Sequence, residues 1–279
     1  DFNADKRVGA FVQDIMDMSL KTDKARDILD FAAKRYIERN GIRDDKGRLS
    51  AIIIQARMSS SRFPGKVMSL LGGMPLVEYV YRRCNTCGAD NVVVATSEDI
   101  SDDAVYDHCR ANRIPVFRGS LDNVLERYIR AAGSVNAEYI VRVCADTPFV
   151  DTALVNTLLK TLIAEKLDYA SLERSTCASG FYSEALTAEA LKKAAGKTKE
   201  KEDLEHVTKY ITSHPQEFSV KFINAGLNPE FVHEIRLTID HPGDLKRANA
   251  IVGELADPLA FTSKEVLEAV RNKMIGLMA

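Results

Sequence analysis

The sequence predicts a three-layer α/β/α fold built on a mostly parallel, Rossmann-like sheet, and two observations carry that expectation. Short, continuously apolar, β-branched runs recur at 51–54, 91–95 and 139–143, the pattern of strands buried on both faces. Helix-length stretches at 75–87, 101–112 and 121–134 lie between them. Alternation at this spacing implies parallel strands joined by helical crossovers. Such sheets bind ligands beyond the carboxyl ends of their strands, so every loop after one of these runs is a candidate site.

Taken in order, residues 1–48 are polar, with Val12, Ile15, Met16, Ala25, Ile28, Leu29, Ala32 and Ala33 at helical spacing. Two helices fit, the second ending near Asn40-Gly41, which supplies a C-cap. We expect a helical appendage or linker at 1–48 and one domain over 49–279. Strand 51–54 opens that domain. After the third apolar run, helices are expected at 151–166, 184–195 and 200–213. A strand follows at 234–239, with Asp244 capping a helix to 252, and a last helix covers 263–275.

Composition excludes several classes. A chain of 279 residues that is 46% hydrophobic buries a core without staples. A net charge of −2 and a pI near 6.3 lack the basic footprint of a nucleic-acid binder. The five cysteines are an odd number, which argues against a disulfide framework. Cys84 and Cys87 form a C-x-x-C without a second zinc pair, so buried thiols are expected. No apolar run reaches 18 residues, so no membrane span is expected. The opening DFNADKRVGAF has no apolar core of a signal peptide and begins without Met. A cytoplasmic protein is expected, with an upstream domain on the same polypeptide.

The loop after the first strand holds the densest chemistry. Gln55, Ala56, Arg57, Ser59, Ser60, Ser61, Arg62 and Lys66 bring backbone N–H groups, hydroxyls and three cations to one strand end. Pro64-Gly65 turns Lys66 back toward a ligand. Such a loop suits a triphosphate, because fixed cations stabilise charge gathering on a departing pyrophosphate. It is neither a Walker A motif nor a dinucleotide fingerprint, and a solvated basic loop has the same composition. Asp146, in Cys144-Ala145-Asp146-Thr147-Pro148, and Asp240, in 236–245, also follow strands. Carboxylates so placed can hold Mg²⁺ against phosphate oxygens, although Asp is also a common helix cap.

The segment IIQARMSSSRFPGKVMSLLGGMPLVEYV resembles the opening of the cytidylyltransferases related to spore-coat polysaccharide biosynthesis protein F, within the superfamily of CMP-sialic acid and CMP-3-deoxy-manno-octulosonate synthetases. The resemblance covers about 52–248. It implies a nucleotidyltransferase sheet, Mg²⁺ on Asp146 and Asp240, and catalytic roles for Arg57, Lys66 and both aspartates. It also implies a base-and-ribose loop at Ala95-Thr96-Ser97. The partners it implies are CTP and a sugar acceptor, probed by Arg142, Arg174, Glu184, Glu205 and His206, with Lys209 a further candidate cation. A homodimer is expected.

Departures accompany the likeness. Ala145 stands for the family's Gly, His241 for its Thr, and Asn123 for the usual acid of the 119–128 element, in which Arg127 reads as structural. Ala178-Ser179-Gly180-Phe181-Tyr182-Ser183-Glu184 lacks two acids of the family pattern and keeps Glu184. A changed acceptor follows, and loss of activity is the alternative. Two rival readings stay open at this point: another NTP used with a sugar-1-phosphate, and a non-catalytic regulatory domain of the same fold.

Overall fold

The computed structural model describes residues 42–227 and 235–278. The helices expected within 1–41 lie outside the described residues. Ile42 is buried in the core and Arg43 pairs with Asp90, so 42–48 packs on the body that follows.

The chain runs through strand β1 (Leu49–Gln55), a small hairpin of β2 (Leu70–Leu71) and β3 (Met74–Pro75), and helix α1 (Leu76–Cys84). Next come β4 (Asn91–Ser97), α2 (Asp103–Ala111), β5 (Val116–Gly119), α3 (Val124–Ser134), β6 (Ala137–Cys144) and α4 (Thr152–Ala164). Then follow β7 (Tyr169–Leu172), β8 (Glu184–Thr187), α5 (Ala188–Lys197), α6 (Lys201–Glu205), α7 (Lys209–Ser213) and β9 (Val220–Ile223). Helices α8 (Pro242–Val252) and α9 (Ser263–Met278) close the described chain.

Among the described residues, seven strands form one sheet in the order β5-β4-β1-β6-β8-β7-β9, and of these β8 alone runs against its neighbours. Alternation along β1 sorts the core into two layers. Ile52 and Ile54 face one cluster, which takes residues from α1, α2, α4, α8 and α9. Ala51 and Ile53 face the other, built from α3, α5 and Ile211 of α7. The expected three-layer α/β/α fold is therefore the one observed. Strand order turns at β1, with β4 and β5 on one side and β6 on the other. Gln55 pairs with Cys144 at the carboxyl ends of β1 and β6, which places their loops at the switch point where such sheets bind ligands.

Caps follow the sequence closely. The Asp151 carboxylate accepts from Ala153 N and Leu154 N to start α4. Asn123 does the same for Glu126 N in α3. Asp244 Oδ2 accepts from the N–H groups of Asp240 and His241 and so caps α8, as expected.

Three expectations need correction. Residues 184–187, read as the start of a helix, form β8. Ladders to β6 and β7 on both sides outweigh the helical leaning of Glu-Ala-Leu. The 200–213 helix is two short ones, broken so that Thr208 turns inward to donate to Glu184. The strand expected at 234–239 is no ladder: Glu234 is outside the described residues, and 235–239 carries a single bridge, Arg236 with Ser179. Strands β5, β7 and β9 were not anticipated. Cys84 and Cys87 are in no disulfide and are buried in the core, as expected of structural thiols, and burial raises the Cys84 pKa.

Candidate active site

The loop leaving β1 bends across the carboxyl edge of the sheet. Gly65, at φ 71°, takes the left-handed turn that follows Pro64, and its N–H donates to Met58 O at 2.9 Å. The turn sends Lys66 inward, as the Pro-Gly pair predicted. Lys66 Nζ meets Asp146 Oδ2 at 2.6 Å, the Ile239 carbonyl at 2.8 Å and Asp240 Oδ1 at 3.4 Å. The two aspartates, 94 residues apart by number, thus share one ammonium.

Asp240 is the more heavily neutralised. Arg62 Nη2 reaches its Oδ1 at 2.8 Å, Arg236 bonds its Oδ2, and Thr238 Oγ1 lies at 3.3 Å. Burial works to raise its pKa. The Arg236 hydrogen bond and the charges of Lys66, Arg236 and Arg62 outweigh that and hold the carboxyl below its usual range. Asp146 has Lys66 as its only ion-pair partner among the described residues.

Segment 235–240 reaches the site because it lies against residue 180. A Cβ on Gly180 would sit 2.6 Å from Leu237 Cβ, and φ there is 114°. Leu237 N donates to Ser179 O at 2.7 Å. Only glycine permits that approach.

Gln55, Arg57, Ser59, Ser60, Ser61, Arg62, Lys66, Asp146 and Glu205 line one cavity of 490 Å³. Ala56 is buried beside it. The Gln55 amide oxygen is buried with no hydrogen-bond partner among the described residues. Arg57 reaches Leu121 O at 3.4 Å and Glu205 Oε1 at 3.7 Å. Glu205 therefore stands beside the 55–66 loop, apart from the other residues expected at a sugar.

A second cavity, of 640 Å³, shares Cys144 and Asp146 with the first and is lined by Arg142, Arg174, Tyr182, Glu184 and Arg236. Arg142, Arg174 and Glu184 also border a third, of 380 Å³, with His206 and Lys209. Arg174 lies over the Tyr182 ring at 4.1 Å. Ser179 and Tyr182, which stand where the resemblance leads one to expect acids, both face the second cavity.

Glu184 accepts from Arg142 Nη1 at 2.7 Å, Tyr169 OH at 2.6 Å and Thr208 Oγ1 at 2.9 Å. Burial works to raise its pKa, but the Arg142 charge and these hydrogen bonds prevail and keep it below the usual range. A depressed folded pKa stabilises the fold above the unfolded value, and that gain fades as pH falls through the folded one. Glu184→Gln should cost about 2–3 kcal/mol at pH 7, the low end for a broken buried pair because cavity water can reach Arg142. The difference should shrink below about pH 4. Urea melts at pH 7 and pH 4 check it, and equal stability at pH 7 would show the pair to be neutral.

The expected base loop sits differently. Ala95, Thr96 and Ser97 are fully buried inside β4 and line none of these cavities. Ser97 instead bonds Asp102 through both N and Oγ, and Met58 N donates to Asp102 Oδ1 at 2.7 Å. Asp102 thus ties the 55–66 loop to the end of β4. Sequence reading missed it because, in Glu-Asp-Ile-Ser-Asp-Asp, nothing separates it from ordinary helix-start acids. Arg127 is fully buried and donates to Ser120 O and Leu121 O, supporting the carbonyl on which Arg57 rests.

The family model for cytidylyltransferases matches residues 51–271. Spore coat polysaccharide biosynthesis protein SpsF of Bacillus subtilis is 32% identical over 223 residues, covering 77% of this chain and 91% of that protein. A 3-deoxy-manno-octulosonate cytidylyltransferase of Geobacter metallireducens is 31% identical over 114 residues, 40% of this chain and 44% of its own. The solved structure of a cytidylyltransferase from Leptospira borgpetersenii superposes with a TM-score of 0.75 at 24% identity, covering 82% of this chain and 96% of that one. With the cation-lined loop, the paired aspartates and the switch-point geometry in place, these likenesses settle the family: the chain belongs to the cytidylyltransferases and is a nucleotidyltransferase.

Proposed function

We propose that this protein transfers CMP from CTP to a sugar acceptor and releases pyrophosphate, with Mg²⁺ as cofactor. The acceptor is an acidic sugar used in cell-surface glycan synthesis. The observation that carries the reading is the meeting of Asp146, Asp240 and Lys66 beneath the cavity lined by Arg57 and 59–62.

The residues fit a magnesium ion. Three oxygens, from Asp146, Asp240 and the Ile239 carbonyl, surround one cationic nitrogen, a hard donor set of the kind Mg²⁺ takes alongside phosphate oxygens. Asp146 and Asp240 would hold it. When bound, it supplies charge neutralisation and orientation at the phosphates. Arg57, Arg62 and the 59–61 hydroxyls bind the triphosphate and set it against the sheet edge. Arg57 and Lys66 offset charge on the leaving pyrophosphate, which grows in the transition state. Arg142, Arg174 and Glu184 shape the acceptor side, where Asp146 borders both cavities. Ser179 and Tyr182 in place of two acids give this acceptor wall a composition of its own, so the sugar differs from that of typical family members.

The test is pyrophosphate release with Mg²⁺, each of four NTPs, and a panel of carboxylated sugars and sugar-1-phosphates. Release is expected with CTP and a carboxylated sugar. Turnover confined to another NTP with a sugar-1-phosphate would sink the reading, as would calorimetry showing no nucleotide binding.

A further inference from the structure

The ammonium of Lys66 stands where the divalent ion would stand. It is enclosed by Asp146 Oδ2, the Ile239 carbonyl and Asp240 Oδ1 at 2.6, 2.8 and 3.4 Å, and its side chain is only 10% exposed. A metal drawn to the same oxygens and a lysine cation cannot share that point, since like charges at contact distance in a half-buried site repel strongly. Asp240 keeps Arg62 and Arg236 if Lys66 leaves, whereas Asp146 has no other ion-pair partner among the described residues. Departure of Lys66 therefore frees one carboxylate, Asp146, in full. Lys66 also lines the triphosphate cavity beside 59–62, where phosphate oxygens offer its charge a new partner.

We infer that Lys66 is the resident cation of the free enzyme and exchanges with the metal. Nucleotide draws the ammonium onto the triphosphate, and the divalent ion takes its place between Asp146 and Asp240. This rests on the magnesium site proposed above and adds an order to it. Without nucleotide, the metal must evict a lysine that has no anion to receive it, so metal alone binds weakly. With nucleotide the eviction is compensated, so nucleotide and metal strengthen one another, and by linkage the coupling is reciprocal. Lys66 is thereby a gate against idle metal as well as a phosphate ligand.

Mn²⁺ binding to the full chain, followed by electron paramagnetic resonance and calorimetry without turnover, tests this. Lys66→Met and Lys66→Gln, each checked for folding by circular dichroism and thermal melting, should bind Mn²⁺ alone about tenfold or more tighter than wild type. Adding Asp146→Asn should abolish that gain. Wild type should bind Mn²⁺ tightly only with the non-hydrolysable α,β-methylene analogue of CTP. If both Lys66 variants bind Mn²⁺ alone no better than wild type, while wild type binds it with the analogue, the exchange is wrong and the metal site stands. A gain that survives Asp146→Asn also overturns the exchange. If wild type binds no Mn²⁺ even with the analogue, the magnesium reading falls and takes the exchange with it.

Discussion

Asp146→Asn is expected to slow CMP transfer by about 10²–10³-fold, the scale of losing one preorganised charge at a transition state. The substitution keeps the size of the side chain and its capacity to accept from Lys66, and removes only the negative charge. Asp146 is partly exposed at the cavity floor, and its main-chain carbonyl, which accepts from Ile239 N at 2.9 Å, is untouched. The fold should therefore hold, with a melting temperature within a few degrees of wild type. Asp240 is a poorer test of chemistry, because Asp240→Asn would also weaken the hold on Arg62, Arg236 and Lys66. Pyrophosphate release with CTP and the active acceptor, read beside a thermal melt, gives the answer. Wild-type turnover in Asp146→Asn would remove this carboxylate from the reaction.

The largest effect on stability should come from Arg83, far from that chemistry. It is 1% exposed, yet it has no carboxylate in hydrogen-bond contact among the described residues. Its guanidinium donates to the carbonyls of Val150 at 3.1 Å, Leu259 at 2.8 Å and Phe261, and it stacks on the Phe261 ring at 3.8 Å. Burial lowers its pKa, against which nearby Cys87, Asp151, Cys84 and Tyr79 act in the opposite sense. Tyr79 OH also donates to Pro258 O, so α1 clamps the segment between α8 and α9. Arg83→Met would fill much of the volume and strand three carbonyls, a loss of about 3–5 kcal/mol by analogy with broken buried polar networks. Urea denaturation should show a lower midpoint at unchanged slope. A change below about 0.5 kcal/mol, the scale of neutral surface substitutions, would mean that other donors satisfy those carbonyls.

How much of this was legible depended on whether the information was local. The runs at 51–54, 91–95 and 139–143 announced β1, β4 and β6, because strands buried on both faces must be apolar throughout. The cap at Asp244 was readable for the same reason: a cap concerns its own next residues. Strand β8 was hidden, since Glu-Ala-Leu leans toward helix until β6 and β7 flank it and Arg142 takes up the glutamate. The inward turn of Thr208 was equally hidden, because its partner lies 24 residues away.

The site divides along the same line. Sequence alone determined the fold class, the basic loop at 55–66, the turn at Pro64-Gly65 and Asp146 just past the end of β6, all consequences of local composition and periodicity; Asp240 it expected at the end of a strand that 235–239 does not form. Tertiary structure decided that Lys66 sits between Asp146 and Asp240, that Glu205 lines the cavity of the 55–66 loop and that Ala95–Ser97 are buried in β4. It also revealed Asp102 as the tie between loop and strand. Such facts depend on which distant residues share a point in space, and that is set by strand order and by the close approach of Gly180 to Leu237, neither of which leaves a periodic trace along the chain.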